Sequence, residues 1–252
     1  MKPGPRFVAA LLLVAACSAV RAQDLIVYCA GAVKPALSAL LPAWTAQGGR
    51  GVEVIYAPAG ELLGKLAAGG SADIVILPAE ALSTLEQQGA TIAATRHDLG
   101  AVGIGVAVKA GARLPNVATE DGLRRALLDA GSVTFMDPAR GTSGRHFDEV
   151  VLPRLGIRDV VRAKTVLGAG GMIAEKVAQG EVEIAIQQMT ELIPVAGIAI
   201  AGPLPPSLQK VTVYSGAVTQ ASRAAAPAAA LLAFLVSSES RAVFAAKGFA
   251  SP

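Results

Sequence analysis

Residues 25–77 establish the fold class; they read LIVYCAGAVKPALSALLPAWTAQGGRGVEVIYAPAGELLGKLAAGGSADIVIL. Short apolar stretches at 25–28, 52–56 and 74–77 alternate with segments whose leucines recur every three or four residues. The first pattern predicts buried strands and the second predicts amphipathic helices. Strands joined by helical crossovers form a parallel sheet with helices on its faces. The stretch therefore predicts an α/β protein.

The same alternation continues to the end of the chain, and two longer β-type runs, at 100–109 and 211–218, interrupt it. We interpret these runs as two crossing hinge strands between two lobes, each a mostly parallel sheet flanked by helices. Lobe one then comprises residues 23–102 plus 212–252, and lobe two comprises residues 103–211. Ligands of open α/β sheets lie beyond the carboxyl ends of the strands, so two such lobes predict a binding cleft that closes by hinge motion.

The first 22 residues have the pattern of an export signal. Lys2 and Arg6 precede an apolar run at 7–16. A small-residue cleavage pattern, Val20-Arg21-Ala22, ends the segment. This order is typical of a secretory signal peptide, and the run is shorter than the roughly 20 apolar residues that span a bilayer. We therefore predict a signal peptide at 1–22 and a periplasmic protein. Alternatively, residues 14–17 form a lipoprotein cleavage box in which Cys17 is acylated.

The charge balance excludes some classes of partner. The whole chain has 22 Lys and Arg against 19 Asp and Glu, with a pI near 9.0. Three of the basic residues lie in the predicted signal peptide, so the rest of the chain is formally neutral. The basic pI therefore gives no reason to expect nucleic acid as a partner. Cys17 and Cys29 do not form a disulfide framework.

Four predicted strand-to-helix loops contain small residues just before a helix. Their sequences are CAGAVK at 29–34, APAGE at 57–61, DPARGTSGR at 137–145 and GAGGM at 168–172. Small residues let a ligand approach the unpaired N–H groups of a helix N-terminus, where the helix dipole favours an anion. Two such loops in each lobe predict an anion-binding cleft, although each loop could also be an ordinary tight turn.

The third loop adds polar side chains. Thr142 and Ser143 can donate hydroxyl groups, and Arg140 and Arg145 bracket them. Arginine recognises carboxylate and phosphate groups with two parallel hydrogen bonds. We predict that both arginines contact the ligand. The alternative is that they are surface residues paired with neighbouring carboxylates such as Asp137, Asp148 or Glu149.

Patterns typical of enzymes are absent from the sequence. His97 and His146 do not form a pair with a nucleophile, and residues 141–144 do not match the G-x-S-x-G pattern. The glycines at 168–171 lack the spacing of a dinucleotide-binding loop, and no Cys, His or carboxylate cluster indicates a metal site. We therefore predict a monomeric binding protein with no catalytic residues, no cofactor and no metal.

Several segments resemble the periplasmic molybdate-binding protein family, one of the type II solute-binding proteins of ABC transporters. The resemblance covers nearly all of the chain after residue 22. It is carried by IVYCAGAVKPAL at 26–37, APAGELLGKLAAGGSADIVIL at 57–77, GEVEIAIQQMTEL at 180–192 and LLAFLVSSESRAVFAAKGF at 231–249. It implies the two-lobed fold, capture of a small anion, and delivery of that anion to a membrane permease.

The family's site holds molybdate with two loop hydroxyl groups, backbone N–H groups and a tyrosine. By this resemblance the two hydroxyl positions fall on Ala32 and Ala59, and the tyrosine position falls on Gln188. A buried oxyanion loses roughly 1–3 kcal/mol for each hydrogen bond that is lost. The alanines also leave room for carbon atoms. We therefore predict an organic di- or tricarboxylate as the ligand, with molybdate or tungstate as the alternative.

The predicted ligand contacts are made by loop residues that share small size, a free N–H group or a polar side chain. They are Gly31, Ala32, Val33, Ala59, Gly60, Glu61, Arg140, Thr142, Ser143, Gly144, Arg145, Gly170, Gly171, Met172 and Gln188. The same contacts would suit a periplasmic sensor subunit that presents its ligand to a receptor. The expected partner of a transport protein is instead an ABC-type membrane permease.

Overall fold

A computed structural model describes residues 23–252 of the chain. The predicted signal peptide and Cys17 lie outside the described residues. The strands of the described part are β1 (Leu25–Ala30), β2 (Val52–Ala57), β3 (Ile74–Pro78), β4 (His97–Val102), β5 (Ile104–Lys109), β6 (Val133–Met136), β7 (Thr165–Gly168), β8 (Ile184–Gln188), β9 (Ile198–Pro203) and β10 (Thr212–Val218).

Helices connect most of these strands. They are α1 (Lys34–Ala46), α2 (Ala59–Ala67), α3 (Ala79–Gln87), α4 (Glu120–Asp129), α5 (Thr142–His146), α6 (Leu152–Arg154), α7 (Arg158–Arg162), α8 (Glu175–Gln179), α9 (Met189–Leu192), α10 (Ala225–Leu235) and α11 (Ser238–Ala246). A 3₁₀ turn, Gly31–Val33, leads directly into α1, and a second one spans Ala93–Thr95. A π-helical turn, Phe147–Val151, joins α5 to α6, so residues 142–154 form one helical segment.

The strands form two separate five-stranded sheets, which confirms the predicted two-lobed α/β fold. Their orders are β2-β1-β3-β10-β4 and β7-β6-β8-β5-β9. Each sheet has two parallel and two antiparallel pairings, and is therefore mixed rather than mostly parallel as expected. The antiparallel pairings belong to β10 and β5, which follow the two crossings and enter their sheets in the opposite direction to the neighbouring strands.

The long β-type run at 100–109 is not one strand. It divides at Gly103 into β4, which belongs to the first sheet, and β5, which belongs to the second. The side chain of Gln209 binds the backbone next to Gly103. It accepts from the N–H of Ile104 at 2.7 Å and donates to the Ile104 carbonyl at 2.9 Å. Residues 204–211 make the second crossing beside it and lead into β10. The two crossings therefore lie side by side, as a hinge requires.

Each sheet has its own apolar core. Leu37 and Leu40 of α1 are buried in the first core as the periodicity predicts, whereas Leu41 and Trp44 are only partly buried. Thr119 caps α4 by accepting from the N–H of Gly122 at 3.1 Å, which confirms the predicted cap. The helix expected at 172–178 begins later, at Glu175, because residues 171–174 form a turn.

Within residues 23–252 no single helix is long and apolar enough to cross a membrane. The pair α10 and α11 reaches that length and composition only when taken together, and the two helices are bent by 62° with respect to each other. Leu231, Leu232 and Leu235 of α10 and Phe244 of α11 are buried in the first core.

Candidate ligand-binding site

A small cavity of about 40 Å³ lies where the carboxyl ends of strands from both sheets meet. It is lined by Ala30, Gly31, Ala32, Pro58, Ala59, Pro78, Met136, Gly141, Thr142, Ser143, Gln188, Glu191 and Tyr214. Six of the residues predicted from the sequence are thereby brought together: Gly31, Ala32, Ala59, Thr142, Ser143 and Gln188.

A second cavity of about 340 Å³ adjoins the first. The two share Gly31, Pro58, Met136 and Glu191 as lining residues. The second cavity adds Lys34, Tyr56, Ala57, Gly171, Met172 and Glu175. Its volume lies within the range of about 300–1,000 Å³ that is usual for sites of small organic ligands. Together the cavities form one interlobe site, with a polar inner end and a roomier outer part.

Five helical segments begin at the inner cavity, and none of them has a side-chain cap. The residues that precede them are Ala30, Pro58, Pro78, Gly141 and Gln188, and all five line the cavity. Four of these segments extend for nine residues or more, and the fifth, α9, is a single turn. First-turn N–H groups have no partner within their helix and carry the positive end of its dipole. Their convergence makes the inner cavity electropositive.

No lysine or arginine is among the described residues that line the inner cavity. Lys34 lines only the outer cavity, where its Nζ lies 5.5 Å from the centre of the Tyr56 ring. An anion in the inner cavity would therefore be held by backbone N–H groups and neutral donors. Such a site binds an anion without a charged side chain beside it, as other helix N-termini do.

Among residues 23–252, Glu191 has the single carboxyl side chain that lines the inner cavity. It lies in the single-turn helix α9 and is only 7% exposed. Burial raises the pKa of Glu191 to about 8, although the neighbouring Gln187 amide lowers it in part. At neutral pH the protonated acid is thus the main form. In this form the Glu191 carboxyl can donate a hydrogen bond to an anion.

Gln188 and Tyr214 form a polar pair at the inner wall. The Gln188 Nε2 atom lies 3.3 Å from Thr212 Oγ1 and 3.4 Å from Tyr214 Oη, while its buried Oε1 has no partner among the described residues. Both hydroxyl groups can donate as well as accept. If the Gln188 amide is flipped by 180°, its Oε1 accepts hydrogen bonds from the Thr212 and Tyr214 hydroxyl groups. Its NH₂ group then occupies the position at which Oε1 had no partner. Gln188 can therefore supply a donor to a bound anion.

Arg140 makes a contact between the lobes rather than lining either cavity. Its Nη2 donates to Glu61 Oε2 at 2.7 Å, and its carbonyl accepts from the N–H of Gly60 at 3.3 Å. The Nε of Arg140 is buried without a partner among the described residues. Arg145 is exposed and donates to the Pro138 carbonyl at 3.1 Å. Both arginines thus lie outside the linings of the two cavities.

The remaining predicted residues are distributed around the site. Val33 is fully buried in the first core, and Gly144 packs against Met136. The N–H of Glu61 donates to the Pro58 carbonyl at 3.0 Å, so it is already used within its own turn. Gly170 faces the Pro58 ring across the cleft, at 3.5 Å from the position of an added β-carbon. Gly171 and Met172 line the outer cavity.

Comparison with known proteins identifies the family. Residues 25–250 match the family model described as bacterial extracellular solute-binding protein. The chain belongs to this family. The resemblance seen in the sequence is therefore confirmed at the level of type II periplasmic solute-binding proteins.

Two solved structures of solute-binding proteins share the fold. The periplasmic molybdate-binding protein of Azotobacter vinelandii has a TM-score of 0.77 at 18% identity, covering 91% of this chain and 100% of that chain. The sulfate-binding protein SubI from Mycobacterium tuberculosis has a TM-score of 0.70 at 20% identity, covering 90% of this chain and 86% of that chain. These identities are low enough that the likeness concerns the fold alone.

One relative of this chain is named as an enzyme rather than as a binding protein. It is an aconitate isomerase from Pseudomonas sp, which is 31% identical to this solute-binding protein over 243 residues, covering 93% of this chain and 92% of the relative. The structural neighbours are thus binding proteins, whereas this relative is named for a reaction of a tricarboxylate.

Sequence reasoning missed several lining residues of this solute-binding protein, above all Glu191 and Tyr214. Glu191 follows a strand end, as the predicted loops do, and it lies inside the segment 180–192 that carries part of the resemblance. This position after a strand end could have indicated that Glu191 lines the site. Tyr214 reaches the site because β10 pairs antiparallel with β3, which sets Tyr214 opposite Pro78. No local pattern indicates this pairing.

Proposed function

We propose that this protein captures an organic di- or tricarboxylate in the interlobe site, outside the cytoplasm, and delivers it to an ABC-type membrane permease. The observation that carries this proposal is the convergence of five uncapped helix N-termini on one cavity that also holds neutral donors. Such a site stabilises the oxygens of an anion without bringing buried countercharges into the cleft.

The chemistry of the lining favours an organic anion over a bare oxyanion. Ala32, Ala59 and Met136 present carbon to the ligand, and the positions at which the resembling family has hydroxyl groups hold alanine. The outer cavity of about 340 Å³ gives room for a carbon chain, and Lys34 supplies a positive charge there. A tricarboxylate can place one carboxylate at the helix N-termini and another beside Lys34.

The relative with 31% identity supports the same class of ligand, because aconitate is a tricarboxylate. Molybdate and tungstate remain the alternative. They would need hydroxyl donors in the first two loops, where this chain has Ala32 and Ala59. Thr142, Ser143 and Tyr214 are the hydroxyl groups that line the inner cavity instead.

The proposed roles follow from this geometry. Backbone N–H groups at Gly31, Ala32, Ala59, Thr142 and Ser143 hold the inner carboxylate. The Gln188–Tyr214 pair adds one side-chain donor, because the single hydroxyl hydrogen of Tyr214 serves either the ligand or Gln188. Arg140 acts through Glu61 by holding the lobes together. We also propose residues 23–102 plus 212–252 as lobe one and 103–211 as lobe two, which agrees with the strands that each sheet contains.

Calorimetric titration and thermal unfolding with a ligand panel test the proposal. The panel contains citrate, cis-aconitate, trans-aconitate, succinate, molybdate, tungstate and sulfate. A ligand at 100 times its Kd adds about 2.7 kcal/mol to the free energy of unfolding, so a true ligand raises the unfolding temperature clearly. We expect a tricarboxylate to do so. Stabilisation by molybdate with no effect of any carboxylate would overturn the proposal.

A matched pair of variants links the binding to the site. Lys34→Gln removes the positive charge of the outer cavity and is expected to weaken a tricarboxylate by about tenfold, which corresponds to the roughly 1.4 kcal/mol of a charge-assisted hydrogen bond. Arg145→Gln removes an exposed arginine that lines neither cavity, and we expect unchanged affinity. Equal losses in both variants would mean that only the overall charge of the protein matters.

A further inference from the structure

Capture and delivery of an anion do not require a carboxyl group at the position of Glu191. This group lines both cavities of an anion site. An ionised carboxylate there would repel the ligand, so a binding protein would gain from a neutral glutamine at this place. The buried Oε1 atoms of Gln187 and Gln188, on the two residues that end β8 just before α9, have no partner among the described residues. Gln188 lines the inner cavity together with Glu191, so the wall of the site beside Glu191 is polar.

Gly31 brings the backbone of the first loop close to this carboxyl. A β-carbon added at Gly31 would lie 3.0 Å from Glu191 Oε1, a distance tighter than ordinary contact. Because Gly31 has no side chain, nothing from this residue covers the Glu191 carboxyl at the N-terminus of the helical segment that begins at Gly31. A substrate bound by the N–H groups at Gly31 and Ala32 would lie directly against the Glu191 oxygens.

We infer that Glu191 is a proton-transferring residue, and that the site isomerises a bound unsaturated tricarboxylate by moving a proton between two carbons of its allylic system. This inference rests on the proposed function, since it requires a tricarboxylate in the interlobe site. The relative named aconitate isomerase supports it, because aconitate has such an allylic system. It departs from the sequence-based prediction of a protein without catalytic residues.

The step balances without an oxidant or a second substrate. In propene-1,2,3-tricarboxylate, a CH₂ group lies between a carboxylate and the C=C bond. The ionised Glu191 carboxylate removes one proton from this carbon, and the electron pair of the broken C–H bond spreads over the allyl carbons and the carboxylate oxygens. The Glu191 carboxyl exchanges its proton with solvent and then delivers a proton to the carbon at the other end, and the C=C bond moves by one position.

The shifted product has the same constitution as the substrate, because each of the three carbons carries one carboxylate. Its cis or trans geometry depends only on how the former CH₂ carbon is held when the new double bond forms. No rotation about a double bond is required. A cleft that fixes the conformation of the chain therefore sets which isomer is formed.

The surroundings of Glu191 suit both halves of the step. The electron pair that leaves the carbon places extra negative charge on carboxylate oxygens, where the convergent helix N-termini stabilise it. A weakly acidic carboxyl is a stronger base than an ordinary glutamate once it is ionised, and its raised pKa lies near neutral pH, where proton transfer in both directions is efficient. The other titratable groups that line the two cavities are Lys34, Tyr56, Glu175 and Tyr214.

The test follows the purified protein with cis-aconitate in D₂O by proton NMR, alongside calorimetric titration of the same sample. We expect conversion between the cis and trans isomers, with solvent deuterium entering the CH₂ and vinyl positions. Binding without isomerisation or exchange would overturn this inference and leave the proposed function intact. Absence of binding by any carboxylate would overturn both.

Variants assign the proton transfer to Glu191. Glu191→Gln keeps the shape and the neutral state of the side chain, so we expect tricarboxylate affinity within about threefold of the unchanged protein and turnover lower by at least about 100-fold. Glu191→Asp retains a carboxyl and should keep measurable turnover. Glu149→Gln, at an exposed carboxylate outside both cavities, serves as the control and should turn over normally. Undiminished turnover in Glu191→Gln would show that another group moves the proton.

Discussion

Arg140 Nη2 donates to Glu61 Oε2 at 2.7 Å across the interlobe cleft, so the arginine that we predicted at the ligand also joins the two lobes. The side chains are 41% and 37% exposed, respectively, and an exposed pair of this kind contributes only about 0.2–1 kcal/mol. The pair therefore adds little to the stability of the fold. We expect the pair to bias an equilibrium between open and closed lobes, and thereby to change ligand affinity.

The first prediction concerns this pair. Arg140→Gln and Glu61→Gln should weaken tricarboxylate binding by similar factors of about two to five, because each removes the same interlobe contact. The double variant should be no weaker than either single variant. Calorimetric titration of the three variants measures this double-mutant cycle. A far larger loss in Arg140→Gln than in Glu61→Gln would restore Arg140 as a direct countercharge of the ligand.

The second prediction uses two glycines. Gly31→Ala places a β-carbon 3.0 Å from Glu191 Oε1, so the carboxyl must give way by a few tenths of an ångström. We expect a loss of about 1 kcal/mol or less in unfolding free energy and a marked loss of ligand affinity, because the displaced carboxyl lines the site. Gly64→Ala is the matched control in helix α2, where an added β-carbon meets nothing within 4 Å. Chemical denaturation should show this control to be more stable by about 0.5–1 kcal/mol.

The third prediction concerns pH. Burial raises the pKa of Glu191 from 4.5 to about 8, so the folded state holds this proton more tightly than the unfolded state. Its contribution is fully present below about pH 4.5 and is lost as the pH rises through about 8. The unchanged protein should thus lose up to roughly 4–5 kcal/mol relative to Glu191→Gln over this interval.

Denaturant unfolding of both proteins between pH 5 and about 9 checks this difference. Lys34, Tyr56, Glu175 and Tyr214 also face the cavities and are common to both proteins, so the comparison isolates Glu191. Parallel stability curves for the two proteins would mean that the Glu191 carboxyl is already ionised in the folded state.

The fourth prediction tests Tyr214 as a donor. Tyr214→Phe removes the hydroxyl that lines the inner cavity and should weaken an anionic ligand by about fivefold, the effect of one hydrogen bond of roughly 1 kcal/mol. Tyr28→Phe removes the hydroxyl of a buried tyrosine in the first lobe that lines neither cavity. Affinity in this control should be unchanged. If both variants bind equally well, Tyr214 is only a wall of the site.

The loops of the site could be predicted because each one depends on a local pattern. A buried strand, a few small residues and an amphipathic helix are encoded in consecutive residues, as at 25–46 and 52–67. The carboxyl ends of parallel strands then meet at one edge of a sheet. Gly31, Ala32, Ala59, Thr142 and Ser143 were found in this way and Gln188 through the family resemblance, and all six line the inner cavity.

Local patterns were therefore enough to predict an α/β protein with two lobes and a cleft lined by helix N-termini, since hydrophobic periodicity and turn residues act over short distances. What those N-termini surround depends on contacts between segments that are far apart in the chain. Tyr214 lines the site through an antiparallel pairing with β3, and Arg140 is drawn to Glu61, which is 79 residues away in the chain. Glu191 has its raised pKa because residues from both lobes exclude water from it, and burial of this kind depends on the packing of distant segments.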